Sequence, residues 1–437
     1  MVILVIGWAR MQLTGPNSDP RTGRRRFLRS ALFSGPALAF AGCNGSNEQP
    51  QATTASKPHA GTTLTLACPD AVLAADLKNR AAGWGAKHGV TVTVEAKPLA
   101  DVPAADLAVI PAATIGRFAA AGKLLTLPAR VREGGHDLKW VSINEAYRVV
   151  LAGWGSDVVG LPVTGDGFVL VYRADRFADP VHQEGFRRYP GTAGRELAAP
   201  ATWEDLADVA GYFAEADKKP TLPPIPADAG KLLTQFYQIA ACYDRKGMTA
   251  TEATKAGRTG VDEAAFGFQL DIATGTPRLA GPPFVAALEW FRKTKPYRPA
   301  AASDDAVAAL ANGPAVAAVL SLADLARLRG STGELPKPFG LAPLPGSRSY
   351  FDPDGKAVPV PGRNAVPYLG AGTTVGVVFR SSGNADAAWD FLADTASLSG
   401  SLALLANDRR GYGPFRTEHT DDGRELTWIE HGLDAPR

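Results

Sequence analysis

Asp166 stands between two glycines in the stretch Leu161-Pro-Val-Thr-Gly-Asp-Gly-Phe. Gly165 and Gly167 free the backbone on both sides, so the turn presents a carboxylate with little side-chain crowding. Such a group accepts charge-assisted hydrogen bonds from the hydroxyls or amides of a small molecule, or it caps its own turn by accepting an amide two residues on. Covalent chemistry has less to start from. The six histidines, at positions 59, 88, 136, 182, 419 and 431, are scattered, with no zincin spacing among them, and the chain has no Gly-x-Ser-x-Gly elbow. Asp352-Pro-Asp-Gly lacks the alternating carboxylates and closing Glu of a calcium loop and reads as a hairpin turn. No metal or cofactor is implied. The cysteines are Cys43, Cys68 and Cys242; the last two either pair or, as the burial habit of free Cys favours, remain separate buried thiols.

The elements that would position Asp166 follow from patterning. Residues 168–172 form a short apolar, β-prone run, which reads as a strand buried on both faces. Ahead of it, residues 62–67 and 90–95 alternate as strands around an amphipathic helix over 71–88, and 106–111 make a third strand before a short helix at 114–121. Strand, helix, strand order argues for a parallel sheet with right-handed crossovers. Thr202-Trp-Glu-Asp-Leu starts a helix with a capping Thr and an acidic first turn. Apolar helices follow at 232–242, from Pro282 or Pro283 onward, and at 306–312; residues 315–320 are strand. With 437 residues, 45% hydrophobic and 21% charged, the chain can build two domains with a large core, and a net charge of +2 gives no basic face for nucleic acid.

The amino-terminal stretch reads as a leader. Arg24-Arg-Arg-Phe-Leu precedes an apolar stretch over 31–40 that runs into Ala41-Gly42-Cys43. This resembles a twin-arginine export signal ending in a lipobox, with Cys43 lipidated, although Gly23 and Phe40 stand where Ser or Thr and Leu are usual. Met11 is the better start, since residues 1–10 add nothing an export leader needs. Residues 44–61, rich in Ser, Thr, Gln and Pro, read as a flexible tether.

The hinge-like stretch and Pro200-Ala-Thr-Trp-Glu-Asp-Leu together resemble the extracellular solute-binding proteins of ABC importers (family 1, the group that includes the maltose-binding protein). Lys123-Leu-Leu-Thr-Leu-Pro, Ala309-Leu-Ala-Asn-Gly, Phe339-Gly-Leu-Ala-Pro-Leu-Pro-Gly, Asn384-Ala-Asp-Ala-Ala-Trp-Asp-Phe-Leu and Gly411-Tyr-Gly-Pro-Phe-Arg continue the match in order, with 347–367 as an insertion. The resemblance implies an α/β, two-lobed type II periplasmic-binding-protein fold, each lobe a mixed sheet flanked by helices and joined by hinge crossovers. It divides the chain into signal (1–43), tether (44–61), first lobe (62–163 and 369–410) and second lobe (164–368 and 411–437).

It also implies a monomeric receptor, not an enzyme, that binds a small polar solute, a sugar or glycoside first, and delivers it to an ABC permease from a membrane to which Cys43 anchors it. Candidate ligand contacts carried over by motif are Asp70, Thr114, Asp166, Phe168, Asp228, Ser321, Asp324, Gly370 and Thr373. Maltose-type members carry a Trp after the third strand and Gly-Pro-Trp after the buried strand, where this chain has Ile110-Pro111 and Leu320-Ser321-Leu322. Aromatic faces would then come from Trp140, Trp154, Phe168, Tyr237 or Tyr350. Two rival functions stay open: a ligand sensor of the same fold, and a secreted hydrolase, which needs a cleft nucleophile with a base in reach.

The leader yields a test. With Arg24 and Arg25 both replaced by Lys, precursor is expected to remain in the cytoplasm on cell fractionation; a doubly substituted protein that reaches the envelope at the normal level removes the twin-arginine assignment.

Overall fold

The computed structural model describes residues 57–419 apart from 101–103, 135–136, 193, 248–266, 272, 331–332, 367, 369 and 406–409. The proposed signal, Cys43 and most of the tether lie outside these residues. The strands are β1 (Thr63–Cys68), β2 (Thr91–Ala96), β3 (Leu107–Pro111), β4 (Gly153–Trp154), β5 (Asp157–Val158), β6 (Leu161–Thr164), β7 (Phe168–Arg173), β8 (Ala317–Ser321), β9 (Phe339–Pro343), β10 (Ser347–Phe351), β11 (Ala357–Asn364) and β12 (Thr374–Val378).

The first lobe is built on a five-stranded sheet of order β2-β1-β3-β12-β6. β1 runs parallel to β2 and β3, as strand–helix–strand order predicts, while β12 arrives from far along the chain and lies antiparallel between β3 and β6. Both faces of this sheet are covered. Leu64, Leu66, Leu107 and Val109 point into a core shared with Leu77 and Trp84 of helix Ala71–His88 and with Trp389 and Phe391 of helix Ala385–Ala396. Ala67, Ala108, Ile110, Val375 and Val377 point the other way, onto Ile115, Phe118 and Phe379. Successive residues alternate between faces, so a strand with both faces buried is apolar throughout, as central β3 is; β1 keeps Thr63 and Thr65 where its second face is less covered.

The second lobe centres on β7, antiparallel to β8 and β9 on either side. Leu170 enters a core with Trp203, Ile239, Phe284 and Trp290, while Val171 packs oppositely on Leu310, Leu320 and Leu325. Helix Trp203–Asp217 begins with a full capping box: the Asp205 amide donates to Thr202 Oγ1 at 3.1 Å and the Thr202 amide to Asp205 Oδ2 at 3.1 Å. The insertion folds as the antiparallel β10–β11 pair, its turn held by Asp352 Oδ1, which accepts from the amides of Asp354 and Lys356.

Two boundaries differ from expectation. The last part of the supposed tether is docked: the Gly61 amide donates to the Gly89 carbonyl at 2.8 Å, and His59 Nε2 lies 2.8 Å from Asp390 Oδ2. The carboxy-terminal segment, expected in the second lobe from residue 411, returns to the first. Phe415 is buried in the first lobe's core, and the buried Arg416 guanidinium donates through Nη1 to the carbonyls of Leu138 and Ala396. Burial of a large ring and satisfaction of a buried cation decide its place. Cys68 and Cys242 are free thiols, each buried in a different lobe's core.

Phe415→Ala is expected to cost about 3–5 kcal/mol of stability in urea denaturation, the usual loss for a fully buried ring. A loss below about 1 kcal/mol would mean that the segment does not close the first core.

Candidate functional site

Two chain segments cross between the lobes, and a third runs beside them. β6 leads through Gly165, Asp166 and Gly167 into β7; the chain returns through Tyr368 and Gly370–Thr373 into β12; and Gly411–Pro414, which leaves and re-enters the first lobe, lies against both. Gly165 and Gly413 exchange backbone hydrogen bonds, at 2.9 and 3.2 Å. A Cβ at Gly165 would lie 2.2 Å from the Pro414 carbonyl oxygen, and one at Gly413 would lie 2.6 Å from the Asp166 backbone. Both positions therefore need glycine for close backbone approach.

Asp166 ties these crossings together. Its Oδ2 accepts the amides of Gly370 (2.9 Å) and Gly372 (3.2 Å), and its Oδ1 accepts the hydroxyls of Tyr147 (3.0 Å) and Thr373 (3.3 Å). Burial, reinforced by the neighbouring carboxylate, pushes the Tyr147 phenol well above its ordinary range, so it remains a donor. Three of these donors belong to the loop that re-enters the first lobe and the fourth is Tyr147; the amide two residues on is not among them.

Beside this junction lies a cleft of about 560 Å³, within the range of small-molecule sites. The first lobe contributes Ala113 and the loop Gly370–Gly372; the remaining wall comes from the second lobe. Phe168, Tyr237, Trp290 and Tyr368 supply aromatic surface, and Gln235, Gln238 and Arg298 supply polar groups. Gln238 is 1% exposed with its Nε2 unpartnered, and Gln235 Oε1 and Arg298 Nε are likewise buried without a hydrogen bond.

The nine sequence candidates separate on this geometry. Phe168, Asp228, Ser321, Asp324 and Gly370 line the cleft. Three of these five have structural work as well: Asp228 Oδ1 accepts the Lys231 amide at the start of helix Ala229–Asp244, Ser321 Oγ accepts the Asp324 amide at the start of helix Leu322–Arg329, and Asp324 pairs with Arg327 at 3.0 Å. Asp70, Thr114, Asp166 and Thr373 are not in the cleft wall. Asp70 caps helix Ala71–His88, accepting the amides of Val72 and Leu73, and Thr114 Oγ1 donates to the Pro111 carbonyl. Thr373 is buried against Asp166. Of the proposed aromatics, Phe168 and Tyr237 reach the cleft, while Trp140, Trp154 and Tyr350 do not.

Sequence reasoning missed Trp290, Tyr368, Gln235, Gln238 and Arg298. The two glutamines, three apart in an otherwise apolar helix, were a readable signal, because that spacing puts both on one face. Arg298 carries no local signal: it follows a Lys-Pro-Tyr turn, and only the fold carries it inward. Among the described residues no histidine lines the cleft, and the Ser321 hydroxyl donates to Asp324 at 2.9 Å.

Fold and cleft together define a two-lobed binding protein, and the chain belongs to the bacterial extracellular solute-binding proteins, whose family matches residues 80–427. Among solved structures it is similar to the maltose-bound MalE3 of T. maritima (18% identity, 86% of this chain and 90% of that one, TM-score 0.56). It is similar also to a ribitol-complexed ABC transporter solute-binding protein of Agrobacterium radiobacter K84 (19% identity, 86% of each chain, TM-score 0.58). A third is the cyclic α-maltosyl-1,6-maltose binding protein of Arthrobacter globiformis (17% identity, 85% of each chain, TM-score 0.58). These likenesses establish the two-lobed α/β fold. No curated protein matches the chain in sequence.

Asp166→Asn replaces one acceptor oxygen by an NH2 that faces hydrogen-bond donors. A stability loss on the order of 1.5–3 kcal/mol is expected by urea denaturation. Unchanged stability would show that the carboxylate does not hold the crossings together.

Proposed function

We propose that this protein is an exported receptor, lipid-anchored through Cys43, that captures a small polar solute of the sugar or polyol class and hands it to an ABC permease. The observation that carries this reading is the cleft itself. It is walled by both lobes, it opens beside the glycine-framed crossings, and it combines aromatic faces with buried amides that have no partner in the protein. Aromatic rings suit the apolar face of a sugar ring, and unpartnered amides suit its hydroxyls. The family match and the maltose- and ribitol-bound neighbours support the same class. Among the described residues no helix is long and apolar enough to cross a membrane, so attachment falls to the lipidated leader, where two acyl chains hold stably and one does not. We assign the lobes as inferred from sequence, with residues 411–419 moved to the first.

A ligand that touches both walls favours the closed arrangement by its differential contacts. A thermal-shift screen of sugars, polyols and their derivatives is expected to return stabilising compounds; at ~100 times its dissociation constant a ligand adds about 2.7 kcal/mol. Small-angle scattering with such a compound should then give a smaller radius of gyration. A screen without hits, or identical scattering curves at saturation, counts against a closing sugar receptor.

A further inference from the structure

Arg298 is 7% exposed, yet among the described residues it has no carboxylate partner. Its Nη1 donates to the Pro223 carbonyl at 2.9 Å, and its guanidinium lies 5.4 Å from the ring centre of Trp290 and 5.8 Å from that of Phe291. Nε has no hydrogen bond. Two other arginines have a carboxylate at hand: the buried Arg416 lies 3.3 Å from Glu418, and the half-buried Arg80 pairs with Asp394. Burial pulls the Arg298 pKa down to about 10, and no acidic group raises it again; the group is still a cation at neutral pH. A desolvated charge without a counter-charge is costly unless something else answers it.

The same wall holds the unpartnered amide of Gln238 and the unpartnered Gln235 oxygen. Other charged groups of the cleft are occupied: Asp324 by Arg327, Asp228 as a helix cap, and Asp304 by the Asp228 amide at 2.8 Å. Lys231 adds a second cation to the wall. The hydroxyls of a neutral sugar can meet the two glutamines and accept from the guanidinium, but they bring it no counter-charge. A carboxylate would answer it with charge-assisted hydrogen bonds, for which the planar guanidinium is suited.

Resting on the receptor reading above, we propose that the solute is an acidic saccharide or polyol, a uronic or aldonic acid, whose carboxylate is held by Arg298 and whose hydroxyls meet Gln235 and Gln238. The test is calorimetry on the purified protein with matched pairs: galacturonate against galactose, glucuronate against glucose, ribonate against ribitol. At least one acid is expected to bind about tenfold or more tightly than its neutral partner, and Arg298→Gln is expected to abolish that preference. Neutral partners that bind the wild-type protein as tightly as the acids overturn the acidic ligand and leave the sugar receptor standing. An acid preference that survives in folded Arg298→Gln overturns the role of Arg298. Binding of no compound on either side of the panel overturns both the inference and the receptor reading beneath it. If Arg298→Gln does not fold, the wild-type ranking of acids against neutral partners decides the ligand class, and Arg298→Lys, which keeps the charge but loses the planar fork, is expected to weaken acid binding.

Discussion

The structure depends on one carboxylate and the close-packed glycines around it. Asp166 accepts four hydrogen bonds, two from the Gly370 and Gly372 amides and two from hydroxyls of the first lobe. Gly165 and Gly413 lock the first crossing to the segment beside it at backbone contact distance, where a methyl group would have no room. Because Gly370 and Gly372 also line the cleft, the interaction that orders the junction also shapes one edge of the binding surface. All four hydrogen bonds that Asp166 accepts come from protein donors, two of them in the loop that lines the cleft.

Sheets buried on both faces explain why the chain shuttles between lobes. A five-stranded layer with apolar residues on each side cannot be completed by the amino-terminal third of the chain alone. β12 fills the gap between β3 and β6, helix Ala385–Ala396 covers one face, and Phe415 with Arg416 closes a corner of the same core. Every additional passage adds a strand of connection at the junction. The hinge is in this sense a by-product of finishing the first core.

Much of the fold was legible because burial on alternate faces leaves its mark locally. The helix over 71–88, the capping box at Thr202 and the hairpin at Asp352 lie where short-range rules put them. Site residues were harder for a physical reason. A polar residue between a strand and a helix satisfies helix amides whether or not a ligand is near, so Asp70, Asp228 and Ser321 look alike in sequence while only the last two face the cleft. Asp166 was legible as a constrained acid but not by its partners, of which Gly370, Gly372 and Thr373 lie 204, 206 and 207 positions away. Arg298 could not be found locally at all, because its isolation from acids is a property of the folded neighbourhood.

The two buried thiols give each lobe its own clock. Cys68 sits in the first core, where burial pushes its pKa up to about 12, and Cys242 sits in the second, where burial also raises it. Neither presents a thiolate in the folded state, so a thiol reagent reacts only when the surrounding core opens. The rates at the two sulfurs therefore time the opening of the two lobes separately, within one unmodified chain.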